Sequence, residues 1–266
     1  SFHPGAKDYY LDNLRKVISH YGAENIAALL MEPVNGSSGG AIHPPEGYWV
    51  EAQKILIEND ILLIADEVMT GFGRTGFKFS CEDYEIKPDI MIAGKGMSSG
   101  YAAISGTYST DKIAKSILDA GYLVMFHTFA ALPLSCAAAS SVLQILRREK
   151  LCEKVAPLGE RLKQKLTDAL GQHPLIAEIR GKGLLIGIEI VKDKEKLISF
   201  DEQERITEQI ISMGLEEGVL LYPGGTGEYR DIICLGPPYI IGDEEIDLMA
   251  NALSKVLNRI QEKYKI

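Results

Sequence analysis

Two ionisable residues, Asp66 and Lys95, each follow a short apolar run, and this placement could support covalent chemistry. Residues 61–65 form the first run and Ile90–Ala93 form the second, and Lys95 has a glycine on either side. Both runs are typical of buried strands, and open α/β folds usually bind ligands at the carboxyl edge of a parallel sheet. Burial favours the unprotonated form of a lysine, and an unprotonated amine can form a Schiff base.

The residue types alone leave a plainer interpretation open. A lysine between glycines is often a solvated loop residue, and an acid at a strand end is often a helix cap. A phosphate-binding loop is excluded here. That motif requires glycine five residues before its Gly-Lys pair and Ser or Thr just after it, whereas Asp89 and Gly96 occupy those positions.

The apolar periodicity predicts two regions with different architectures. The first has helices at 6–21, 46–59, 110–119 and 133–146 and strands at 26–31, 61–65, 90–93 and 102–108. The order strand, helix, strand implies a right-handed crossover, so we predict an α/β region with a mainly parallel sheet. The second has helices at 151–170, 201–217 and 243–262 and strands at 176–180, 184–191, 219–222 and 231–235. This pattern predicts a smaller α+β domain.

Composition and charge argue against several classes of protein. The 266 residues carry a formal net charge of −9 without a basic cluster, which disfavours nucleic acid or an anionic membrane as a partner. No apolar run approaches the length of a membrane span, and no secretory apolar segment is evident near Ser1. The four cysteines lack metal-ligand spacing. We therefore expect a cytoplasmic protein with reduced thiols and no metal site.

The segments DEVMTGFGRTG, which begins at Asp66, and PDIMIAGKG, which contains Lys95, resemble the signature of the class III (ω-amino acid) aminotransferases. The resemblance implies pyridoxal 5′-phosphate (PLP) as cofactor and the aspartate-aminotransferase fold (fold type I). Residues 1–146 would be part of the PLP-binding large domain and residues 147–266 the C-terminal small domain. Lys95 would form the Schiff base with PLP, Asp66 would face the pyridine nitrogen, and Val68 would pack on the ring. An ionised Asp66 keeps the pyridinium protonated, which makes the ring an electron sink.

A later segment, FHTFAALPLSCAAASS, also resembles the family. The resemblance implies that this segment crosses a dimer interface and that Thr128 hydrogen-bonds the cofactor phosphate of the partner subunit. Without the resemblance, a helix N-cap would be the plainer interpretation of Thr128. We therefore expect a homodimer or a larger assembly.

Substrate preference depends on two candidate residues and two departures from the family pattern. Glu32 opens the segment EPVNGSSGG, which resembles the family's EP-x-x-x-x-x-GG loop, and we take it as a candidate substrate-binding residue. Met69 stands where many members have a glutamine that hydrogen-bonds the cofactor. Cys234 stands where members that bind an α-carboxylate commonly have arginine. Arg230 is a candidate replacement, although a surface arginine is the plainer interpretation. These features favour an amine or ω-amino acid with pyruvate.

The resemblance also implies an upstream part of the enzyme that these residues do not contain. That part holds the glycine- and serine-rich loop for the cofactor phosphate and the aromatic residue that stacks on the ring. We therefore expect that transamination needs this part, which a separate chain could supply. An aminomutase, a racemase, a PLP-dependent decarboxylase and a non-catalytic truncated remnant remain as alternatives.

Overall fold

A computed structural model describes residues 3–123, 127–227 and 230–266, which form two compact units. The first unit comprises the described parts of Ser1–Pro33, Pro44–Gly73 and Phe77–Lys150. The second comprises Val34–His43, Arg74–Gly76 and the described parts of Leu151–Ile266. As an assignment of functional domains, the division into 1–146 and 147–266 stays a prediction.

The first unit is built on a four-stranded sheet in the order β1-β2-β3-β4. Strands β1, β2 and β3 are parallel, and β4 pairs antiparallel with β3. The prediction of an α/β region with a mainly parallel sheet is therefore confirmed. The predicted strand 102–108 is wrong in its first half, because pairing with β3 begins only at Gly106. The strands are β1 (Ala28–Met31), β2 (Leu62–Asp66), β3 (Ile90–Ala93) and β4 (Gly106–Ser109).

The first two helices of the first unit each bury an apolar face. Leu11 and Ile18 from the first helix join Trp49 and Leu56 from the second in a core that also contains Leu63 of β2. The Trp49 indole N–H donates to the Pro33 carbonyl at 3.0 Å, so this ring is buried with its polar atom satisfied. The helices are α1 (Ala6–Tyr21), α2 (Tyr48–Glu58), the single-turn α3 (Ser80–Asp83), α4 (Asp111–Asp119) and α5 (Pro133–Arg148).

The second unit has an antiparallel sheet in the order β5-β6-β8-β7. Its core is formed mainly by leucine, isoleucine and valine side chains from the sheet and from three helices. The elements are α6 (Leu151–Leu170), β5 (Ile176–Lys182), β6 (Leu185–Ile190), α7 (Ile206–Glu216), β7 (Tyr222–Gly224), β8 (Ile232–Leu235) and α8 (Asp243–Tyr264). No helix in the described ranges has the length and apolar character needed to cross a membrane.

Two predicted elements of the second unit are displaced. The predicted helix 201–217 begins only at Ile206, because Asp201 and Glu204 form a capping box around a short 3-10 turn and Arg205 is left-handed. The predicted strand 219–222 is wrong, because only Tyr222 of that stretch pairs with β8. The apolar run there fills the core through Val219 and Leu221 without sheet pairing.

Candidate active site

Asp66 and Lys95 lie at the carboxyl ends of neighbouring parallel strands. Asp66 is the last residue of β2, and it stands opposite Ile92 of β3 in the parallel register. The Glu67 N–H donates to the Ile92 carbonyl at 2.8 Å, which ties the end of β2 to the end of β3. Lys95 follows two residues after β3 ends. The sequence therefore predicted correctly which sheet edge carries these two groups.

Lys95 is exposed in this chain. It begins a 3-10 turn, Lys95–Met97, and its backbone is left-handed with φ of 40°. Its Nζ donates to the Met69 thioether, and within the described residues it forms no ion pair with a carboxylate. The amine thus projects from the sheet edge with a weak, uncharged acceptor beside it.

Asp66 and Val68 belong to the same turn. Asp66 is half-buried, and its Oδ1 accepts the Val68 N–H at 3.0 Å. Val68 is also half-buried. A carboxylate and a branched apolar side chain are therefore presented from adjacent positions, and both remain partly accessible to a ligand.

Glu67, which the resemblance gives no role, is the buried member of the acidic pair. Its side chain is fully buried, its Oε1 accepts the Cys81 N–H at 2.7 Å, and its Oε2 accepts the Thr70 hydroxyl. Burial, followed by the nearby Glu67, raises the pKa of the Cys81 thiol. The spacing of Glu67 and Thr70 was the available signal, since an acid and a threonine three residues apart can bond across a turn.

Glu32 lies at the same sheet edge as Asp66. The register pairs Met31, the last residue of β1, with Ala65, so Glu32 and Asp66 follow neighbouring strand ends. Glu32 is half-buried. The geometry is consistent with a ligand-facing position, and the assignment of Glu32 to substrate binding stays a prediction.

Thr128 and Arg230 are the two predicted site residues that do not belong to the strand ends described above. Thr128 is exposed in a turn of the first unit, beside residues 124–126, which lie outside the described ranges. Arg230 belongs to the second unit, where its guanidinium donates to the Phe200 carbonyl at 2.9 Å and the Gly227 carbonyl at 3.3 Å. Their roles stay predictions.

Residues 3–257 match the family described as aminotransferase class-III. The chain belongs to the class III aminotransferases. It is 36% identical over 258 residues to an uncharacterized aminotransferase, YodT, of Bacillus subtilis, covering 96% of this chain and 58% of that protein. It is 35% identical over 253 residues to the putrescine–pyruvate aminotransferase of Pseudomonas aeruginosa, covering 93% of this chain and 53% of that protein.

A solved structure supports the same fold for this class III aminotransferase chain. A thermostable (S)-enantioselective omega-transaminase from Thermomicrobium roseum aligns with a TM-score of 0.89 at 34% identity. The alignment covers 96% of this chain and 56% of that one. The chain thus spans between 53% and 58% of the length of the curated relatives named above.

The family is PLP-dependent, and the residues at the sheet edge fit that cofactor. Lys95 supplies a primary amine, Asp66 a carboxylate and Val68 an apolar side chain, all from the ends of two neighbouring strands. In PLP, the aldehyde requires an amine, the pyridine nitrogen requires a carboxylate and the flat ring requires an apolar surface.

Proposed function

We propose that this chain takes part in PLP-dependent transamination between an amine or ω-amino acid and a keto acid such as pyruvate. The observation that supports the proposal is the placement of Lys95 and Asp66 at the ends of neighbouring parallel strands. The relative named for putrescine and pyruvate supports the substrate class. Because the chain spans about half of its relatives, the activity of the whole protein is part of the proposal.

Each residue at the sheet edge would do a separate task. When bound, PLP supplies an electron sink for the carbanion formed at the substrate carbon. The Lys95 amine would anchor the cofactor and, once displaced by the incoming amine, take the proton from the reacting carbon and return it as an acid. The Asp66 carboxylate would hold a proton on the pyridine nitrogen. Val68 would cover one face of the ring and exclude water there.

Glu32 and Arg230 are our candidates for substrate binding, and Thr128 is our candidate for the cofactor phosphate of a partner subunit. That assignment requires a homodimer or a larger assembly, and a separate chain could supply the upstream part. A cytoplasmic location stays a prediction.

Covalent trapping tests the proposal directly. We expect borohydride to fix PLP to Lys95 in any active assembly that contains this chain, and we expect K95A to abolish turnover. Peptide mass spectrometry identifies the modified lysine, and label on a different lysine contradicts the proposal. An assay of amines with pyruvate or 2-oxoglutarate, compared with amines alone, separates transamination from a mutase, a racemase or a decarboxylase.

A further inference from the structure

Glu67 is a buried acid to which the proposed reaction assigns no task. It lies between Asp66 and Val68 with an exposed fraction of 0%. We propose that Glu67 is a positioning residue, which holds the turn that carries Val68 and Met69 beside the Lys95 amine. The inference rests on the proposed function, because its importance depends on Lys95 being the reactive amine.

The contacts of Glu67 fix the turn on both sides. Its carboxylate accepts the Cys81 N–H at 2.7 Å and the Thr70 hydroxyl, so it joins the start of α3 to the turn itself. Its backbone N–H donates to the Ile92 carbonyl of β3, and its carbonyl accepts the Gly71 N–H, both at 2.8 Å. Thr70 and Cys81 are also buried, and a satisfied buried network of this kind holds one geometry.

Gly71 shows how closely the turn is folded. A Cβ at Gly71 would lie 2.7 Å from the Glu67 carbonyl oxygen, a distance that backbone atoms cannot accommodate without moving. The turn therefore closes on Glu67 through a residue without a side chain. Displacement of Glu67 would open the turn as a whole and would carry Met69 with it.

Met69 transmits the position of this turn to Lys95. The Met69 sulfur accepts from the Lys95 Nζ, and Lys95 is otherwise exposed. A thioether is a weak acceptor, so this contact depends on where the backbone places Met69. A lysine side chain has four flexible carbons and large rotamer freedom. A fixed turn thus limits the region that the amine samples before it meets an aldehyde.

Competitive labelling measures this effect without relying on turnover. The 266-residue chain is treated with PLP and borohydride, and mass spectrometry gives the ratio of label on Lys95 to label on Lys112, an exposed lysine of α4. We expect E67A to lower this ratio about threefold to tenfold, which is the effect of losing about one hydrogen bond that holds the turn. E82A, the same change at an exposed glutamate of α3, is the matched control and should leave the ratio within about twofold.

Two further variants separate positioning from simple support of the fold. E67Q keeps an oxygen for the Cys81 N–H and an amide that can donate to Thr70, so we expect it to restore the ratio. M69A should lower the ratio as well, and E67A combined with M69A should lower it no further, because the two residues act through one contact.

Each outcome decides the proposal. A folded E67A chain with the wild-type ratio overturns it, and so does an equal loss in E67Q. If E67A does not fold, T70V removes only the hydroxyl contact, and an unchanged ratio in T70V overturns the proposal. If wild-type Lys95 takes no more label than Lys112, the turn does not favour this amine and the inference is overturned, whereas the proposed function fails only if PLP is trapped on a different lysine in the active assembly. Normal Lys95 labelling with no effect of the variants refutes only the inference.

Discussion

At the scale of single residues, Asp66 and Glu67 are neighbours with opposite surroundings. Asp66 is half-buried, and its described hydrogen bond is to the Val68 N–H, so part of the carboxylate remains accessible to a ligand. Glu67 is buried, and both of its carboxylate oxygens accept hydrogen bonds from the protein. The acidic pair was visible in the sequence. Which acid faces outward was not, because that depends on Thr70 and Cys81 closing around one of them.

Substitution of Asp66 tests the charge that the proposed reaction requires. We expect D66N to keep the shape of the side chain and to lower the transamination rate by about two to three orders of magnitude, because the pyridine nitrogen loses its anionic partner. The measurement is turnover in the PLP-loaded assembly. D60N is the matched control: Asp60 is exposed, and its left-handed backbone suits asparagine, so this variant should keep its activity. A D66N rate within a few-fold of wild type removes Asp66 from this role.

At the scale of elements, close packing at Gly159 reverses the usual preference for alanine over glycine inside a helix. Replacing a glycine inside a helix by alanine usually stabilises by about 0.5–1 kcal/mol. A Cβ at Gly159 of α6 would lie 2.1 Å from the Gly183 carbonyl oxygen, which is backbone and cannot move freely. We therefore expect G159A to lower the free energy of unfolding by about 1–3 kcal/mol.

Urea unfolding compares G159A with a second helical glycine. A Cβ at Gly214 of α7 would first meet the end of the Leu221 side chain, at 2.6 Å, and that side chain can adjust. G214A should therefore cost less than G159A. Equal stability of G159A and wild type would show that the Gly183 turn moves to accommodate the methyl group.

Helices and strands could be predicted from the sequence where the spacing of apolar residues indicates which side chains are buried. Helix α6 and strand β3 match their predicted bounds, because each begins and ends where its apolar spacing does. The membership of the units was less predictable. Val34–His43 belongs to the second unit, where Arg180 donates to the Gly40 carbonyl at 2.8 Å and the Gly39 carbonyl at 2.9 Å. No local pattern encodes hydrogen bonds between residues 140 positions apart.

The Arg74–Gly76 segment gives a second example of a long-range contact. The Arg74 guanidinium donates to the Pro237 carbonyl at 2.7 Å and the Leu184 carbonyl at 3.1 Å. Burial lowers the pKa of Arg74, with Tyr239 opposing the shift. In the sequence, this arginine was recognisable only as part of the segment DEVMTGFGRTG. Its structural role depends on carbonyl groups that are distant in the chain and that only the folded structure places beside it.

At the scale of the whole molecule, the exposed apolar side chains beside Thr128 predict association. Leu123, Phe129 and Leu134 are 86%, 79% and 81% exposed, and apolar groups clustered in this way along one segment mark interaction surfaces. We expect the PLP-loaded protein to sediment as a dimer or larger. L134D should weaken that association, whereas L220D, at an equally exposed leucine of the second unit, should not. An active PLP-loaded monomer would contradict this prediction.

Cofactor affinity is the property that most directly tests how far these 266 residues suffice. The described sheet edge offers PLP an amine, a carboxylate and an apolar side chain, but the resemblance places the phosphate-binding loop in a part of the family that lies upstream. The resemblance places a helix N-terminus in the same upstream part, and because a helix N-terminus is a strong anion site, its contribution to phosphate binding should be large. We therefore expect the pure chain to bind PLP weakly and to show little turnover with an amine and pyruvate. Adding the upstream part, as a separate polypeptide or in a longer chain, should raise both. A PLP titration monitored by absorbance, together with an assay with an amine and pyruvate, tests this prediction. Tight binding and ordinary turnover by the 266-residue chain alone would show that its own residues hold the phosphate.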